Sequence, residues 1–261
     1  MTKTLQIVIE ALTATGEKAF IPYIMAGDGG FEKTREAILY LQDQGATAIE
    51  IGIPFSDPVA DGPVIEAAGI RALKEGANLQ NILALLQLLK PDVSIPLIIM
   101  TYLNPIIRYG IANFVKDAEA ANIKGLIIPD MPMEESSLLT DYTATTDISL
   151  IQLVSLTSPK ERMAKITKQA EGFVYAVTVN GTTGEKKEFG EALQTHLKQL
   201  KQTSQIPVLA GFGISTYETA IEMGKEIDGV IVGSTIVDAL HRGDEQTIAS
   251  FFQNKTVEAL K

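Results

Sequence analysis

The sequence predicts a closed (β/α)8 barrel, and three observations lead to that prediction. Eight short apolar runs rich in β-branched residues recur along the chain, and amphipathic segments separate them. Strict alternation of strands and helices is typical of a parallel sheet. The 261 residues contain no linker, repeat array or break in composition, and such barrels usually have about 250 residues. We therefore expect one barrel domain over residues 1–261, with an open sheet or two doubly wound domains as the alternative.

The eight predicted strands are apolar runs that end in polar residues, Gly or Pro. They begin at Phe20, Thr47, Ile95, Lys124, Ile148, Gly172, Ile206 and Asp228. Helical periodicity predicts helices between them at residues 31–44, 79–89, 111–121, 191–200 and 217–224. Segments 5–12 and 64–73 predict an extra N-terminal helix and an additional short helix. Two capping boxes predict helix starts at Ser158, followed by Pro159, and at Ser215.

Composition excludes several classes of protein. Hydrophobic residues make up 46% of the chain, enough for a large core, yet no apolar run reaches the length of a membrane span. The N-terminal segment lacks the features of a secretory signal, so we expect a cytoplasmic protein. The absence of Cys excludes disulfides and thiolate chemistry. A formal charge of -10 argues against nucleic-acid binding and favours a small substrate or a protein partner.

A lone Glu stands in the second apolar run, within ATAIEIGIPFSDPVADGP. Strand alternation puts Glu50 on the same face as Ala48 and Gly52. If this face lines the barrel interior, the carboxylate is unfavourable to bury unless it is paired, hydrogen-bonded or used. Asp61 follows in a Pro/Gly-rich loop, and two carboxylates at one mouth can divide acid and base roles. For Asp57 and Asp61 an ordinary turn role is the alternative.

Active sites of such barrels lie at the carboxyl ends of the strands. That rule also brings Tyr102, Asp130 and Tyr175 to one mouth. Two glycine corners point to a phosphate there: the stretch 211–215, GFGIS, runs into a predicted helix, and Gly233 and Ser234 end the last strand. Backbone N–H groups at helix N termini attract phosphate. We expect a phosphorylated substrate, with simple tight turns as the alternative.

The segment 180–190, NGTTGEKKEFG, follows the sixth strand and contains three glycines. It predicts a loop that closes over substrate and excludes water, although a simple mobile loop fits the composition equally well. His196 and His241 are predicted on helix surfaces and receive no role. The spacing of ligand-type residues predicts no metal site.

Together these motifs resemble the tryptophan synthase alpha subunit family over nearly the whole chain. The motifs follow the family's order: FIPYIMAGD, IEIGIPFSDPVADGP, IIPDMPMEES, NGTTG, GFGIS and the final GS. The resemblance implies a lyase that needs no pyridoxal or other cofactor. It would cleave indole-3-glycerol phosphate to indole and glyceraldehyde 3-phosphate for tryptophan biosynthesis. A beta subunit would consume the indole within an alpha-beta-beta-alpha complex.

The resemblance also implies roles for individual residues. Glu50 would take the proton of the glycerol 3′-hydroxyl and serve protonation at indole C3, and Asp61 would bind the indole N–H. The substrate walls would be Tyr23, Ile65, Met100, Tyr102, Tyr175 and Phe212, with Thr183 closing on the catalytic carboxylates. The phosphate would lie against Gly184, Gly213, Gly233 and Ser234, and the partner against Asp57, Met131 and Pro132. For the wall residues, core packing is the alternative.

Two departures from the family pattern fall near the predicted loop. Val179 stands where some members carry Arg, and NGTTG replaces the commoner GVTG. Three alternatives remain open on the sequence. They are another phosphate-binding barrel with a catalytic Lys or metal set, a binding subunit without chemistry, and a lyase that works without a partner.

Overall fold

Eight parallel strands close into a barrel in the order β1 to β8, and β8 pairs with β1. The structure, a computed structural model, describes residues 2–155, 157–177, 186–211 and 213–252, with the backbone alone for 186–192. The strands are β1 (Ala19–Met25), β2 (Ile49–Gly52), β3 (Leu97–Met100), β4 (Ile123–Ile127), β5 (Ser149–Ser155), β6 (Val174–Val177), β7 (Val208–Gly211) and β8 (Gly229–Val232). The predicted fold class is confirmed.

Within the described ranges, twelve α-helices accompany the strands. They are α1 (Thr4–Ala14), α2 (Phe31–Asp43), α3 (Pro63–Lys74), α4 (Leu79–Leu89), α5 (Leu103–Tyr109), α6 (Ile111–Ala120), α7 (Ser137–Thr143), α8 (Lys160–Gln169), α9 (Lys186–Thr203), α10 (Tyr217–Gly224), α11 (Ser234–Arg242) and α12 (Glu245–Ser250). The predicted bounds of α4 and α10 are confirmed. Periodicity missed α5, α7 and α12, which have seven, seven and six residues, because so few turns define no apolar face.

Both capping-box predictions are wrong by one residue. Helix α8 has Pro159 at its N-cap, so the Pro precedes the helix and the Ser158 side chain does not cap it. The Ser158 hydroxyl lies instead 3.1 Å from that of Ser155. Helix α10 is capped by Thr216, whose Oγ1 accepts from the backbone N–H of Thr219 at 3.2 Å.

The strands bury both faces, because helices cover the outside while side chains fill the inside. The outer faces, such as Ile49 and Ile51, pack beneath the helices in the larger core cluster. A second cluster fills the barrel. Its members come from all eight strand regions and from α1: Leu5, Ile9, Ala19, Ile21, Ala48, Ile98, Ile127, Ile151, Phe173, Tyr175, Leu209 and Ile231.

Helix α1 closes the amino-terminal end of the barrel. Leu5 and Ile9 are fully buried among the interior side chains. At the start of the helix, Lys3 Nζ donates to the carbonyl of Ile148 at 2.6 Å and to Glu171 Oε2 at 2.8 Å. The extra N-terminal helix that the sequence predicts therefore seals one end and leaves the carboxyl end open.

Candidate active site

A cavity of about 280 Å³ opens at the carboxyl ends of the strands and contains both candidate carboxylates. Its lining comes from β1, β2, β3, β6 and β8, from the loops after β2, β7 and β8, and from the first residues of α3 and α11. A larger cleft of about 580 Å³ lies outside the barrel, between α2 and the pair α11 and α12, and contains neither carboxylate. The smaller cavity is therefore the candidate active site.

Glu50 projects from β2 into this cavity. In the parallel register it lies between Tyr23 of β1 and Ile98 of β3. Its neighbours Ile49 and Ile51 face outward, as period-2 alternation requires. Glu50 is 1% exposed, and its Oε2 has no hydrogen-bond partner within the described part of the chain.

This isolation changes the acidity of Glu50. Burial raises the pKa of its carboxyl group from 4.5 to about 8, because a low-polarity surrounding disfavours the charged form. The group therefore carries a proton at neutral pH and releases it in mild base. That is the range in which a general acid and base is most effective.

Asp61 reaches the same cavity from the loop between β2 and α3. A turn places it there, since its N–H donates to the carbonyl of Pro58 at 3.0 Å, and Pro63 begins the following helix. Burial raises the pKa of Asp61, a hydrogen bond from Tyr102 lowers it, and the nearby charge of Glu66 raises it. Asp61 is thus a half-buried carboxylate with one built-in donor.

Tyr102 lies behind Asp61 and is not among the residues that line the cavity. Its hydroxyl donates to Asp61 Oδ1 at 2.8 Å and accepts from the N–H of Ala60 at 2.9 Å. Burial and the hydrogen bond to Asp61 raise the pKa of Tyr102 far above its ordinary value, so the hydroxyl remains a donor. The side chain that the sequence assigns to a substrate wall thus contacts a carboxylate.

Two further tyrosines form cavity walls, each against a glycine of the next strand. A Cβ atom at Gly52 would collide with the hydroxyl of Tyr23, and one at Gly211 with that of Tyr175. Burial and then nearby charges, including that of Glu50, raise the pKa of both tyrosines well above the ordinary value. Both rings therefore stay neutral.

The two glycine corners meet at the opposite side of the cavity. Gly213 has the positive φ of 74° that favours glycine, and Gly233 precedes α11, which begins at Ser234. The Thr235 hydroxyl donates to the carbonyl of Ile214 at 3.1 Å and so joins the two corners. Because the first N–H groups of a helix lack partners within it, this end of the cavity suits an anion.

The cavity brings together most of the predicted site residues. Those that line it are Tyr23, Glu50, Asp61, Ile65, Met100, Tyr175, Gly213, Gly233 and Ser234. Thr183, Gly184 and Phe212, together with Val179 and the NGTTG motif, lie outside the described residues. The sequence reasoning missed Ala60, Gly62, Pro63, Val64, Ile214 and Ile231, which are small or apolar and carry no chemical signal.

The three predicted partner-facing residues differ in exposure. Asp57 and Pro132 are exposed, whereas Met131 is buried at 8% exposure. In the residues that the structure describes, no three His, Cys, Asp or Glu side chains group closely enough to hold a metal ion. Nor is any helix in the described ranges both long and apolar enough to cross a membrane.

A closed parallel barrel that brings a buried Glu and a second carboxylate into one cavity at the carboxyl ends of its strands is the arrangement of a barrel enzyme. The sequence matches the tryptophan synthase alpha chain family over residues 9–260, and the chain belongs to that family. The resemblance drawn from its motifs is thereby confirmed. Its function is that of the alpha subunit in tryptophan biosynthesis, and it is a lyase.

Individual relatives support this membership. The tryptophan synthase alpha chain of Listeria innocua is 52% identical over 254 residues, which cover 97% of either chain. That of Streptococcus pneumoniae is 51% identical, with 94% of this chain and 95% of the relative covered. The crystal structure of tryptophan synthase subunit alpha from Legionella pneumophila has a TM-score of 0.87 at 32% identity, over 97% of this chain and 98% of the other.

Proposed function

We propose that this chain cleaves indole-3-glycerol phosphate to indole and glyceraldehyde 3-phosphate in the cytoplasm, with Glu50 and Asp61 as the catalytic residues. The observation that carries the proposal is the Glu50 carboxyl group. It is buried and faces the cavity that also holds Asp61, and its Oε2 is unpartnered among the described residues. A group so unfavourably placed is typical of a site that uses it.

The reaction is a retro-aldol cleavage in which Glu50 moves one proton at a time. Protonated Glu50 donates to indole C3, a C–H bond forms, and the ring nitrogen takes up positive charge. Ionised Asp61 accepts the indole N–H and stabilises that charge. The Glu50 carboxylate then removes the proton of the glycerol 3′-hydroxyl, the C–O bond becomes a carbonyl, and the C3–C3′ bond breaks. Its electron pair returns to the indole ring, and Glu50 is protonated again.

The rest of the cavity suits the remainder of this substrate. We propose that the N-terminal end of α11 with Gly213, Gly233 and Ser234 binds the phosphate, since backbone N–H groups and the helix dipole favour an anion there. Tyr23, Ile65, Met100 and Tyr175 would contact the indole ring and the glycerol chain. We keep Thr183, Gly184 and Phe212 as substrate contacts on the strength of the family resemblance.

We propose that the rim of the cavity mouth docks a beta subunit, which receives the indole. We assign to this rim exposed residues that follow the carboxyl ends of neighbouring strands: Asp57 and Val59 after β2, Ile107 on α5 after β3, and Pro132 after β4. Val59 is 84% exposed and Ile107 is 55% exposed, and exposed apolar side chains around a site often mark a protein interface. Val59→Asp should weaken binding of a beta subunit in titration calorimetry. The control Leu88→Asp, at an equally apolar and 77% exposed position on α4, should bind like wild type.

The decisive experiment measures indole release from indole-3-glycerol phosphate, with and without a beta subunit. Glu50→Gln and Asp61→Asn should each lower turnover by a factor of about 10² to 10⁴, as expected for lost proton transfer and charge stabilisation. Glu119→Gln, on the exposed surface of α6, is the matched control. Wild-type protein that binds the substrate but never releases indole would instead identify a binding subunit without chemistry.

The pH profile offers an independent test of the two roles. Asp61 must be ionised and Glu50 protonated at the start, so kcat/KM should be bell-shaped. The basic limb should fall near pH 8, the pKa that burial gives Glu50. A profile that rises through pH 8 would show that Glu50 has to be ionised at the start, and would exclude this order of proton transfers.

A further inference from the structure

We propose that Tyr102 is a positioning residue, which fixes the orientation of the Asp61 carboxylate and holds the loop that carries it against the barrel. This inference rests on the proposed function, because it assigns Asp61 the task of binding the indole N–H. It goes further in giving a buried hydroxyl a role that is separate from contact with the substrate.

Tyr102 contacts the loop between β2 and α3 at three points. Its hydroxyl donates to Asp61 Oδ1 at 2.8 Å and accepts from the N–H of Ala60 at 2.9 Å. Its ring lies against Phe55, with centroids 5.4 Å apart. Tyr102 thus contacts the start of the loop at Phe55 and its end at Ala60 and Asp61. The two hydrogen bonds at the end involve adjacent residues and so fix the peptide unit between them.

Tyr102 is itself held in place from the neighbouring strand. It is the N-cap residue of α5, and the N–H of the next residue, Leu103, donates to Asp130 Oδ1 at 2.9 Å. Tyr102 is only 4% exposed, so its ring has little freedom to move. Asp130 after β4 therefore fixes the backbone at Tyr102, and Tyr102 in turn fixes Asp61.

Among the described residues, this geometry leaves Oδ2 of Asp61 for the substrate. Oδ1 accepts from Tyr102, while Asp61 also lines the cavity. A carboxylate held by one fixed donor presents its remaining lone pairs in one direction, and such preorganisation is the main source of electrostatic stabilisation in enzymes. Without the hydroxyl, Asp61 can rotate and the N–H of Ala60 loses its acceptor.

The charged groups around Asp61 set the direction of the pH effect. Glu66 on α3 faces it, and Glu50 on β2, Tyr23 on β1 and Tyr102 after β3 share its surroundings. Of these, Tyr102 favours the ionised form by donating a hydrogen bond, whereas Glu66 disfavours it by its charge. Removing the hydroxyl therefore raises the pKa of Asp61 and leaves the basic limb, which belongs to Glu50, in place.

The test compares Tyr102→Phe with Tyr109→Phe. The Tyr109 hydroxyl donates to Asp117 Oδ2 at 2.6 Å, away from the cavity, so this control loses the same kind of bond and keeps its ring. We expect Tyr102→Phe to move the acid limb of kcat/KM to higher pH by about one unit, which is a tenfold loss on that limb. The basic limb should not move, and Tyr109→Phe should follow wild type throughout.

The outcomes separate this inference from the function on which it rests. If wild type releases indole, Asp61→Asn does not, and Tyr102→Phe loses activity equally at every pH, Tyr102 only supports packing and the inference is wrong. If wild type releases no indole, the proposed function fails first. Should Tyr102→Phe not fold, Asp130→Ala decides, because it frees the backbone at Tyr102. In Asp130→Ala, a shift of the acid limb to higher pH by less than one unit supports the inference, and an unchanged acid limb overturns it.

Discussion

The two ends of the barrel interior are equally buried but chemically opposite. At the amino-terminal end Leu5 and Ile9 are 0% exposed and pack among aliphatic side chains. At the carboxyl end Glu50 is 1% exposed and has an unpartnered oxygen among the described residues. The same depth therefore stabilises the fold at one end and raises the pKa of a carboxyl group at the other.

The contrast indicates that the apolar closure at the amino-terminal end contributes to the raised pKa of Glu50 at the carboxyl end. Helix α1 closes the amino-terminal end with the apolar side chains of Leu5 and Ile9, while Glu50 faces the cavity at the other end. A low-polarity surrounding raises the pKa of a carboxyl group, so the seal helps to keep Glu50 protonated. Stability and catalysis are thus distributed along one axis of the molecule.

Replacing the ionisable carboxyl group of Glu50 at the open end should give the largest effect on stability. The folded state keeps Glu50 protonated up to about pH 8, whereas the unfolded chain ionises near 4.5. Wild-type stability therefore falls as pH rises between these values. One pKa unit corresponds to about 1.4 kcal/mol, so Glu50→Gln should gain up to about 5 kcal/mol over wild type at about pH 9. Urea unfolding at several pH values measures this.

Two comparisons test that assignment. Near pH 4 the advantage of Glu50→Gln should vanish, because Glu50 is then protonated in both states. Glu119→Gln on the exposed face of α6 should show no such pH dependence. A constant difference at all pH values would mean that the ionisation of Glu50 does not oppose folding.

Opening the sealed end should give the next largest effect. Leu5→Ala removes a fully buried side chain from α1 and should lower the free energy of unfolding by about 3 kcal/mol, through lost burial and a new cavity. Ile7→Ala on the same helix, where the side chain is 51% exposed, should cost well under 1 kcal/mol. Equal losses in the free energy of unfolding for Leu5→Ala and Ile7→Ala, measured by chemical denaturation, would show that the buried face of α1 does not stabilise the barrel.

A change at Gly52 should disturb the open end without removing a functional group. Alanine there would collide with Tyr23, and overpacking of this kind costs about 1–3 kcal/mol. We expect the ring to move toward the cavity and KM for the substrate to rise. Gly224→Ala at the end of α10 is the matched control, because a Cβ atom there meets only Val230 at an ordinary 3.8 Å and Gly224 does not line the cavity. Unchanged KM in Gly52→Ala would show that the wall tolerates the extra atom.

The smallest effect should come from the polar anchor of the seal. Lys3→Met removes hydrogen bonds to the carbonyl of Ile148 and to Glu171, for an expected loss of about 1 kcal/mol. Lys198→Met breaks only an exposed pair with Glu226 at 3.7 Å and should change stability by a few tenths of a kcal/mol at most. Thermal unfolding of both variants can rank them.

The sequence could predict what depends on local pattern. Period-2 alternation predicted that Glu50 would share a face with Ala48, and Ala48 does belong to the interior cluster. Apolar periodicity gave the bounds of α4, which begins at Leu79 and ends at Leu89. The capping boxes failed by one residue because Ser, Thr and Pro side by side offer several acceptable N-caps, and packing chooses between them.

What the sequence could not predict depends on contacts between distant residues. The bond from Tyr102 to Asp61 spans 41 positions, and no local pattern indicates that a Tyr hydroxyl turns toward a carboxylate rather than a substrate. Nor does local pattern give the burial of Met131 at 8% exposure, since an apolar residue beside exposed Pro132 can point either way. The raised pKa of Glu50 needs the whole interior, because its cause is burial.

The long-range contacts of Lys3 and Leu5 also have a consequence for the chain during its synthesis. The acceptor of Lys3 on Glu171 lies 168 positions further along the chain, and Leu5 packs so closely against Gly125 and Gly172 that a Cβ atom on either would lie about 3.0 Å from its side chain. At a synthesis rate of roughly 5–20 residues per second, the nascent helix waits on the order of ten seconds before its burial site exists. Until then the apolar face of α1 is open to solvent and to chaperones.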